Sequence, residues 1–526
     1  MVSDYFLGFT AHAHTKSGLE TDQDKETELR RRNSPEEAQT LTKAVLDKLQ
    51  KDISNGGYNL KDVKLLVLYL SYRGEPEEKD RLICERILSA IEKRFGEHTA
   101  TNQLRLIGHT TAGEIENEDL QLKEVSGIGY NGLSLLALVT SLPIGVGRTW
   151  GFGTKEEAIE QGREMTHDAW VDLNQNTDLK EHIQKRKTLL VLTQGPTAGS
   201  VHGPGKKGFE HFLAEGIANF MGGSREARII NVIGGSSGDG LIAQLCRQFY
   251  GKLDEKSEFK VLNNEAICAL VPNLHEPSIG NDVSPTKKVG RSYIFHFDRE
   301  AEPKFMHLKR IGNKDPRELF AKIIYENEAR ISREQGRPII DEKVFFEFVS
   351  EFEGLPVHPA LGKYGFAFPF GNYAPVLPLR VTPKKDFELT RPVRSVEASM
   401  KGYVAEIDCT KVQKGARNVY NMLREDRGFA ERDVTILVSC ISRRLAEILA
   451  GCKSKTEAEI IKEKLSSTQM IGFLAYGELW FTHLLQEPYH HNFSCWGITF
   501  RSATNGKKKH ERRKELGIKG WIKGER

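Results

Sequence analysis

Cysteine is scarce: seven residues in 526, at positions 84, 246, 268, 409, 440, 452 and 495, widely scattered and without a CxxC pair. That spacing excludes a zinc ribbon and argues against a disulfide framework, so the thiols are expected to be reduced. Long apolar runs are also missing. The longest, Leu133 to Val146, is broken by Ser134, Thr140, Ser141 and Pro143 and falls short of the roughly 18 residues a membrane span needs. The first residues show no basic region followed by an apolar stretch, and Asp22 to Arg32 is almost wholly polar, so no secretory signal is read and the cytoplasm is the expected location. Net charge is nearly absent at +4. Residues 501–526 hold ten Lys and Arg against three Glu, or +7, which leaves 4 − 7 = −3 for the rest. Nucleic-acid binding is therefore not expected of the core, and contact with an anionic surface is confined to a tail that includes Lys507, Lys508, Lys509, Arg512 and Arg513.

What remains is a folded chain, 39% hydrophobic and 28% charged, long enough for two to four domains. Its organisation is repetitive. Leu65 to Leu70 reads as a buried strand, Leu82 to Ile91 as an amphipathic helix, and Leu104 to Ile107 as a second strand running into Gly108-His109-Thr110-Thr111-Ala112-Gly113-Glu114-Ile115. The pattern recurs with Leu189 to Leu192, a helix around Phe209 to Phe220, and Ile229 to Ile233 leading into Gly234-Gly235-Ser236-Ser237-Gly238-Asp239-Gly240. A third copy has Val434 to Cys440, a helix from about Arg443 to Leu465, and Met470 to Leu479. The first and third endings share Ile-Gly-x-x-x-x-Gly-Glu. Such β-α-β units predict an α/β fold, and other segments add antiparallel strands, so the sheets are expected to be mixed. Leu133 to Thr140 and Trp496 to Phe500 read as strands, and Phe259 to Leu262 with Ala266 to Val271 read as a hairpin across Asn263-Asn264. Asn281 to Gly290 has the composition of a linker, and Gly354 to Pro392 that of extended strands and turns.

Glycines just past a strand permit close backbone approach, and Thr110, Thr111 and Glu114 present hydroxyls and a carboxylate at the strand's carboxyl end, the edge that ligands favour in such sheets. Glu478 recurs in the third copy beside Tyr476. Ser439 and Arg443 lie where a strand enters a helix, and a guanidinium there is placed to clamp a carboxylate. Two glycine patterns are rejected. Gly238 to Ala243 has the letters of a dinucleotide turn but is separated from its strand by Gly-Gly-Ser-Ser, and Gln248 to Gly251 reads like a hairpin arm. Gly199 to Lys207 has Ser200 and Lys207 at the two places where a phosphate loop requires Gly and Ser or Thr. No Cys, His, Asp set marks a nucleophile, so no catalytic residue is assigned. The adjacent imidazoles of His490 and His491 diverge on a strand, which leaves metal or haem ligation by one of them as the lesser reading.

Together these strings resemble the FIST family, named for F-box and intracellular signal transduction proteins. Gly108 to Ile115 is similar to its amino-terminal signature, with His109 where Cys or another small residue is usual. Gly234 to Gly240 is similar to its Gly-Gly-x-x-Gly-Asp turn. Ser439-Cys440 with Arg443, then Gly472-Phe473 with Tyr476-Gly477-Glu478, then His491-Asn492, resemble the carboxy-terminal FIST_C sequence. The resemblance implies a cytoplasmic sensory module that binds a small ligand such as an amino acid and signals through a separate protein partner, with no cofactor or, in its third version, haem for nitric oxide sensing. A protein-interaction scaffold or substrate-recruiting adaptor is the alternative. The expected layout is a polar segment 1–33, an amino-terminal FIST domain 34–290, a FIST_C domain 291–505 and a basic tail 506–526. The ligand site is expected among Thr110, Thr111, Gly113, Glu114, Ser236, Asp239, Ser439, Arg443, Tyr476, Gly477, Glu478, His491 and Asn492. Its first and third turns are expected to face one another, with Glu114 and Glu478 close enough to raise a carboxyl pKa unless a cation such as Arg443 lies between.

Overall fold

The computed structural model describes residues 5–14, 33–74, 76–96, 103–111, 114–116, 132–175, 186–193, 210–223, 230–238, 246–253, 258–263, 265–282, 285–300, 307–350, 363–368, 376, 378–382, 384–389, 393, 399–424, 430, 432–449, 457–465, 469–475, 478–481, 489–491 and 494–502. The fold is mixed α/β, built from three repeats of one plan. The first runs β1 (Phe6–His14), α1 (Pro35–Asn55), β2 (Val63–Leu70), α2 (Glu77–Gly96), β3 (Leu104–Thr110), β4 (Glu114–Glu116) and β5 (Gly132–Thr140). The second runs β6 (Gly145–Arg148), α3 (Lys155–Asn174), β7 (Lys187–Thr193), α4 (Glu210–Gly223), β8 (Ile230–Ser236), β9 (Arg247–Leu253), β10 (Glu258–Asn263) and β11 (Ile267–Pro272). The third opens with β12 (Ser278–Asp282) and is interrupted by an insert of β13 (Thr286–Phe297), β14 (His307–Ile311), α5 (Pro316–Gln335), α6 (Glu342–Ser350), β15 (Tyr364–Ala367), β16 (Pro378–Val381), β17 (Phe387–Leu389) and β18 (Ser399–Ile407). It resumes with α7 (Cys409–Arg424), β19 (Val434–Cys440), α8 (Ile441–Leu449), α9 (Glu457–Leu465), β20 (Gln469–Ala475), β21 (Glu478–Phe481), β22 (Tyr489–His491) and β23 (Cys495–Phe500).

In each repeat two parallel strands joined by a crossover helix form the sheet centre: β2 with β3, β7 with β8, β19 with β20. A returning strand flanks each pair antiparallel, β5, β11 or β23. The remaining edge is filled from another repeat. β9 of the second repeat pairs with β3 of the first, β21 of the third with β8 of the second, and β4 of the first with β20 of the third. The exchange is cyclic.

Alternation along the strands sorts the side chains into two layers. Val67, Tyr69, Ile107, Leu192, Ile233, Val438, Ile471 and Phe473 turn inward to one core shared by the three sheets. Leu66, Leu68, Val191, Val232 and Leu437 turn outward under the helices. The near-continuous apolar runs read from the sequence are strands covered on both faces.

Four expectations need correction. The start of the chain is not merely a polar segment, because Phe6 to His14 form an edge strand with Phe6, Leu7 and Phe9 buried. The 290/291 division falls inside β13, and strands β13 to β18 form a separate six-stranded sheet around its own apolar core rather than the start of the last α/β unit. The hairpin across Asn263-Asn264 is not formed: β10 pairs with β9, whereas β11 crosses to β7 and β6. Cys409 is disulfide-bonded, against the expectation of reduced thiols, while Cys84, Cys246, Cys268, Cys440 and Cys495 are free and buried. Among the described residues no helix is long and apolar enough to cross a membrane.

Candidate functional site

One glycine in each repeat sets the geometry of the strand ends. Gly108, Gly234 and Gly472 stand at the same register, and a Cβ there would lie 2.4, 1.7 and 2.2 Å from the carbonyl oxygens of Leu68, Val191 and Leu437. The residues opposite them on the exchanged strands are Phe249, Leu479 and Ile115. One residue before these come Gln248, Glu478 and Glu114, which are therefore equivalent positions. Gln248 is the member that the Gly-Glu pattern hid, since an amide stands where the other repeats have a carboxylate. Its only sequence signal was its place on the strand after the second turn.

The first two of these side chains do the same local task. Glu265 N–H donates to Gln248 Oε1 at 3.1 Å, and Ser494 N–H donates to Glu478 Oε2 at 3.1 Å. Each fixes the start of its returning strand. Beyond that the two differ. Gln248 Nε2 donates to Ser237 Oγ at 2.8 Å, and Ser237 Oγ donates its one proton to the Thr193 carbonyl at 2.7 Å. His109 Nδ1 also lies 3.0 Å from Ser237 Oγ. Because that hydroxyl proton is already committed, Nδ1 must carry the hydrogen and Nε2 is left as a bare acceptor. Nε2 is buried with no hydrogen-bond partner. Edge contacts from Phe473 and Tyr69 enclose the ring, and burial holds its pKa down at about 3, so the imidazole is neutral.

Glu478 is wholly buried. Burial pushes its pKa up to about 8 despite hydrogen bonds from Ser494 and Cys440 and the charge of Arg443, which pull the other way. Ser494 Oγ donates to Oε2 at 2.7 Å and itself receives Trp496 Nε1 at 2.7 Å. Oε1 has no hydrogen-bond partner. Gly235 lies opposite Glu478 at the end of β8, two residues before Ser237. The strand ends thus gather one unsatisfied acceptor and one unsatisfied carboxyl oxygen, both buried, each costing about 1–3 kcal/mol while unpaired. Protonation makes the site pH-dependent. The folded chain keeps the Glu478 proton that the unfolded chain releases above about pH 4.5, so this group lowers stability progressively as pH rises towards 8. Glu478→Gln keeps the acceptor for Ser494 and removes the ionisation, and should flatten that decline; urea midpoints of both proteins at pH 5 and pH 8 measure it, and parallel pH profiles would contradict it.

The other expected site residues are distributed as follows. Thr110 Oγ1 accepts from Arg247 N–H at 3.0 Å and its carbonyl from Gly238 N–H at 2.9 Å, while Ser236 Oγ accepts from Thr193 Oγ1 at 3.1 Å, so both fasten neighbouring strands. Thr111 is buried and its N–H continues the ladder to Leu70 at 3.0 Å. The backbone of Glu114 pairs with Phe473 of β20, which brings the first turn onto the strand that ends in the third. Ser439 and Arg443 do not join this group. Alternation sends Ser439 to the helix side, where its Oγ donates to Glu457 Oε1 at 2.6 Å, and Arg443, 1% exposed, is held by Glu457 and Asp282. The backbone of His491 pairs with Glu478. Gly113, Asp239, Tyr476, Gly477 and Asn492 lie outside the described residues. Among the described residues no group of three or more His, Cys, Asp or Glu side chains is placed to hold a metal ion.

No protein-family model matches the chain, and no curated protein does. Among solved structures it is similar to a cyanuric acid hydrolase described as an evolutionary innovation by structural concatenation, at 11% identity over 53% of this chain and 72% of that one, with a TM-score of 0.26. A cyanuric acid hydrolase from A. caulinodans aligns at 10% identity over the same shares, with a TM-score of 0.26. ChlB3, described as an "aceyltransferase", aligns at 11% identity over 51% of this chain and 98% of its own, with a TM-score of 0.19. Likeness at this level says nothing about activity.

Proposed function

We propose that the chain is a FIST-type intracellular sensory protein that binds a small polar metabolite, an amino acid or a related compound, at the converging strand ends and passes occupancy to a separate protein partner. The observation that carries this reading is the pair of wholly buried, unsatisfied polar atoms, His109 Nε2 and Glu478 Oε1. A structural core gains nothing from such atoms, whereas a ligand that donates to one and accepts from the other recovers the hydrogen bonds. The FIST resemblance of Gly108 to Ile115 and of Gly472 to Glu478 supports the same place, since the first string contains His109 and the second ends at Glu478. Regulation by occupancy would follow from the cyclic exchange, because a ligand at the strand ends touches all three sheets.

A ligand at a hundred times its Kd stabilises the native state by about 2.7 kcal/mol. The expected result is a rise in melting temperature with at least one of the twenty amino acids or their close derivatives, lost in His109→Ala and weakened in Glu478→Gln. No rise with any of them at millimolar concentration would defeat the amino-acid reading.

A further inference from the structure

The sheet of the insert has two unlike faces. Alternation along β13 sends Phe295 and Phe297 to one side, where α5 and α6 cover them with Phe320, Ile324 and Phe345. Ile294 and His296 turn to the other side. Register places Lys401 of β18 opposite Ile294, and sets Ser399 of β18 and Arg310 of β14 on either side of His296. Two residues along β18 from Lys401 stands the half-buried Tyr403, with Lys288 Nζ 5.9 Å from its ring centre. This second face is open: Ile294 is 44% exposed, and Lys288, Arg310 and Lys401 are exposed beside it.

Charge is segregated on the same sheet. Its strands carry three Lys or Arg on β13, two on β14 and one each on β16 and β18, against two acids, Glu388 and Glu406, both buried. Lys287 is spent on Glu406 at 3.2 Å and Lys309 on Asp298 at 2.9 Å. Lys288, Arg310 and Lys401 are left around an exposed isoleucine and a tyrosine ring. The near-neutral total of the chain conceals this local field.

We propose that this face binds single-stranded nucleic acid, with phosphates on Lys288, Arg310 and Lys401 and bases against Ile294 and Tyr403. Outward side chains recur along the strands at steps of about 7 Å, a repeat that an extended chain of phosphates and bases can follow. An added peptide strand fits less well, because β13 is paired on both edges, with β14 and with β18, and has no free edge for a peptide backbone to join. A duplex fits less well, because a flat face has nothing to enter a groove. The proposal is independent of the sensory reading given above.

Fluorescence anisotropy of the full chain with a labelled twelve-residue oligothymidylate tests it, with the matching duplex and an acetylated, amidated twelve-residue polyglutamate as the other probes. At about 50 mM salt the single strand should bind more tightly than either of them. Arg310→Glu with Lys401→Glu should weaken it at least tenfold and reduce the slope of log Kd against log salt by about 1.4, since each lost phosphate contact removes about 0.7. Arg310→Gln with Lys401→Gln, which adds no charge and guards against misfolding, should act in the same direction, and Arg310→Lys with Lys401→Arg should bind like the wild type. Tyr403→Ala should weaken binding and leave the slope unchanged. Residues 501–526 are also basic, and binding through them would leave both charge-removing pairs at wild-type affinity. That result, an absence of binding, or a tighter complex with the duplex or with polyglutamate overturns the proposal, and none of these outcomes bears on amino-acid binding at His109.

Discussion

Gly234→Ala is expected to yield no soluble folded protein. The new Cβ would stand 1.7 Å from the Val191 carbonyl oxygen, and that oxygen belongs to the neighbouring parallel strand, not to a side chain able to swing aside. β7 cannot retreat, because its outer face is packed under α4 and its inner face against the shared core. Relief therefore requires breaking the β7–β8 ladder, which places the cost in the exceptional range of more than about 4 kcal/mol. Gly222→Ala, near the end of α4 with nothing within 4 Å of the added atom, is the control and should be neutral or stabilising by up to about 1 kcal/mol. Soluble yield and urea midpoints of the two variants decide the matter. A folded Gly234→Ala protein with a midpoint near wild type would mean that the strands are not in this register.

The second large effect concerns Arg443. Burial alone would lower its pKa, but the charges of Glu457 and Asp282 raise it, so it remains a cation. Arg443→Met removes from a site 1% exposed the charge that Glu457 and Asp282 share, and leaves Glu457 beside Glu447, whose pKa is already raised to about 7 by burial and by Glu457. Breaking a buried ion pair from one side costs about 3–5 kcal/mol. The loss should be smaller at pH 5 than at pH 8, because Glu447 is protonated at pH 5 and no longer repels Glu457. Glu457→Gln in the Arg443→Met background should recover part of the stability at pH 8. An unchanged midpoint in Arg443→Met, or no recovery in the double variant, would show that the arginine is not what neutralises this cluster.

Why Arg443 and Ser439 looked like ligand groups is instructive about what a sequence carries. Both are polar residues at a strand end, and strand ends are where ligands bind. Which face each takes depends on alternation counted from a core residue, and Val438 inward fixes Ser439 outward only once the shared core is known. His109 was legible as a polar residue at a strand end but not as a buried acceptor, because its tautomer is set by Gln248, Ser237 and Thr193, none of them near it in sequence. The three β-α-β units were legible because each is local. The strand exchange was not, since Glu478 and Gly235 meet across more than two hundred residues with nothing in either string to name the other. Likewise Asn263-Asn264 carries a strong turn signal, yet it joins strands of two different sheets.

The cyclic exchange also fixes an order of events during synthesis. β8 is complete at residue 236, but the strand that covers its edge begins at Glu478, 242 residues later. At roughly 5–20 residues per second the ribosome takes about 12–48 s to deliver it. During that interval β8 offers an unpaired row of amides and carbonyls beside an apolar face, the arrangement most prone to pairing with another chain. The insert between β12 and α7 lengthens the wait, since all of its residues are made before β21. The first repeat waits longer still, since β4 ends at residue 116 and its partner β20 begins at residue 469, 353 residues later, so the cyclic exchange is closed only by strands of the third repeat.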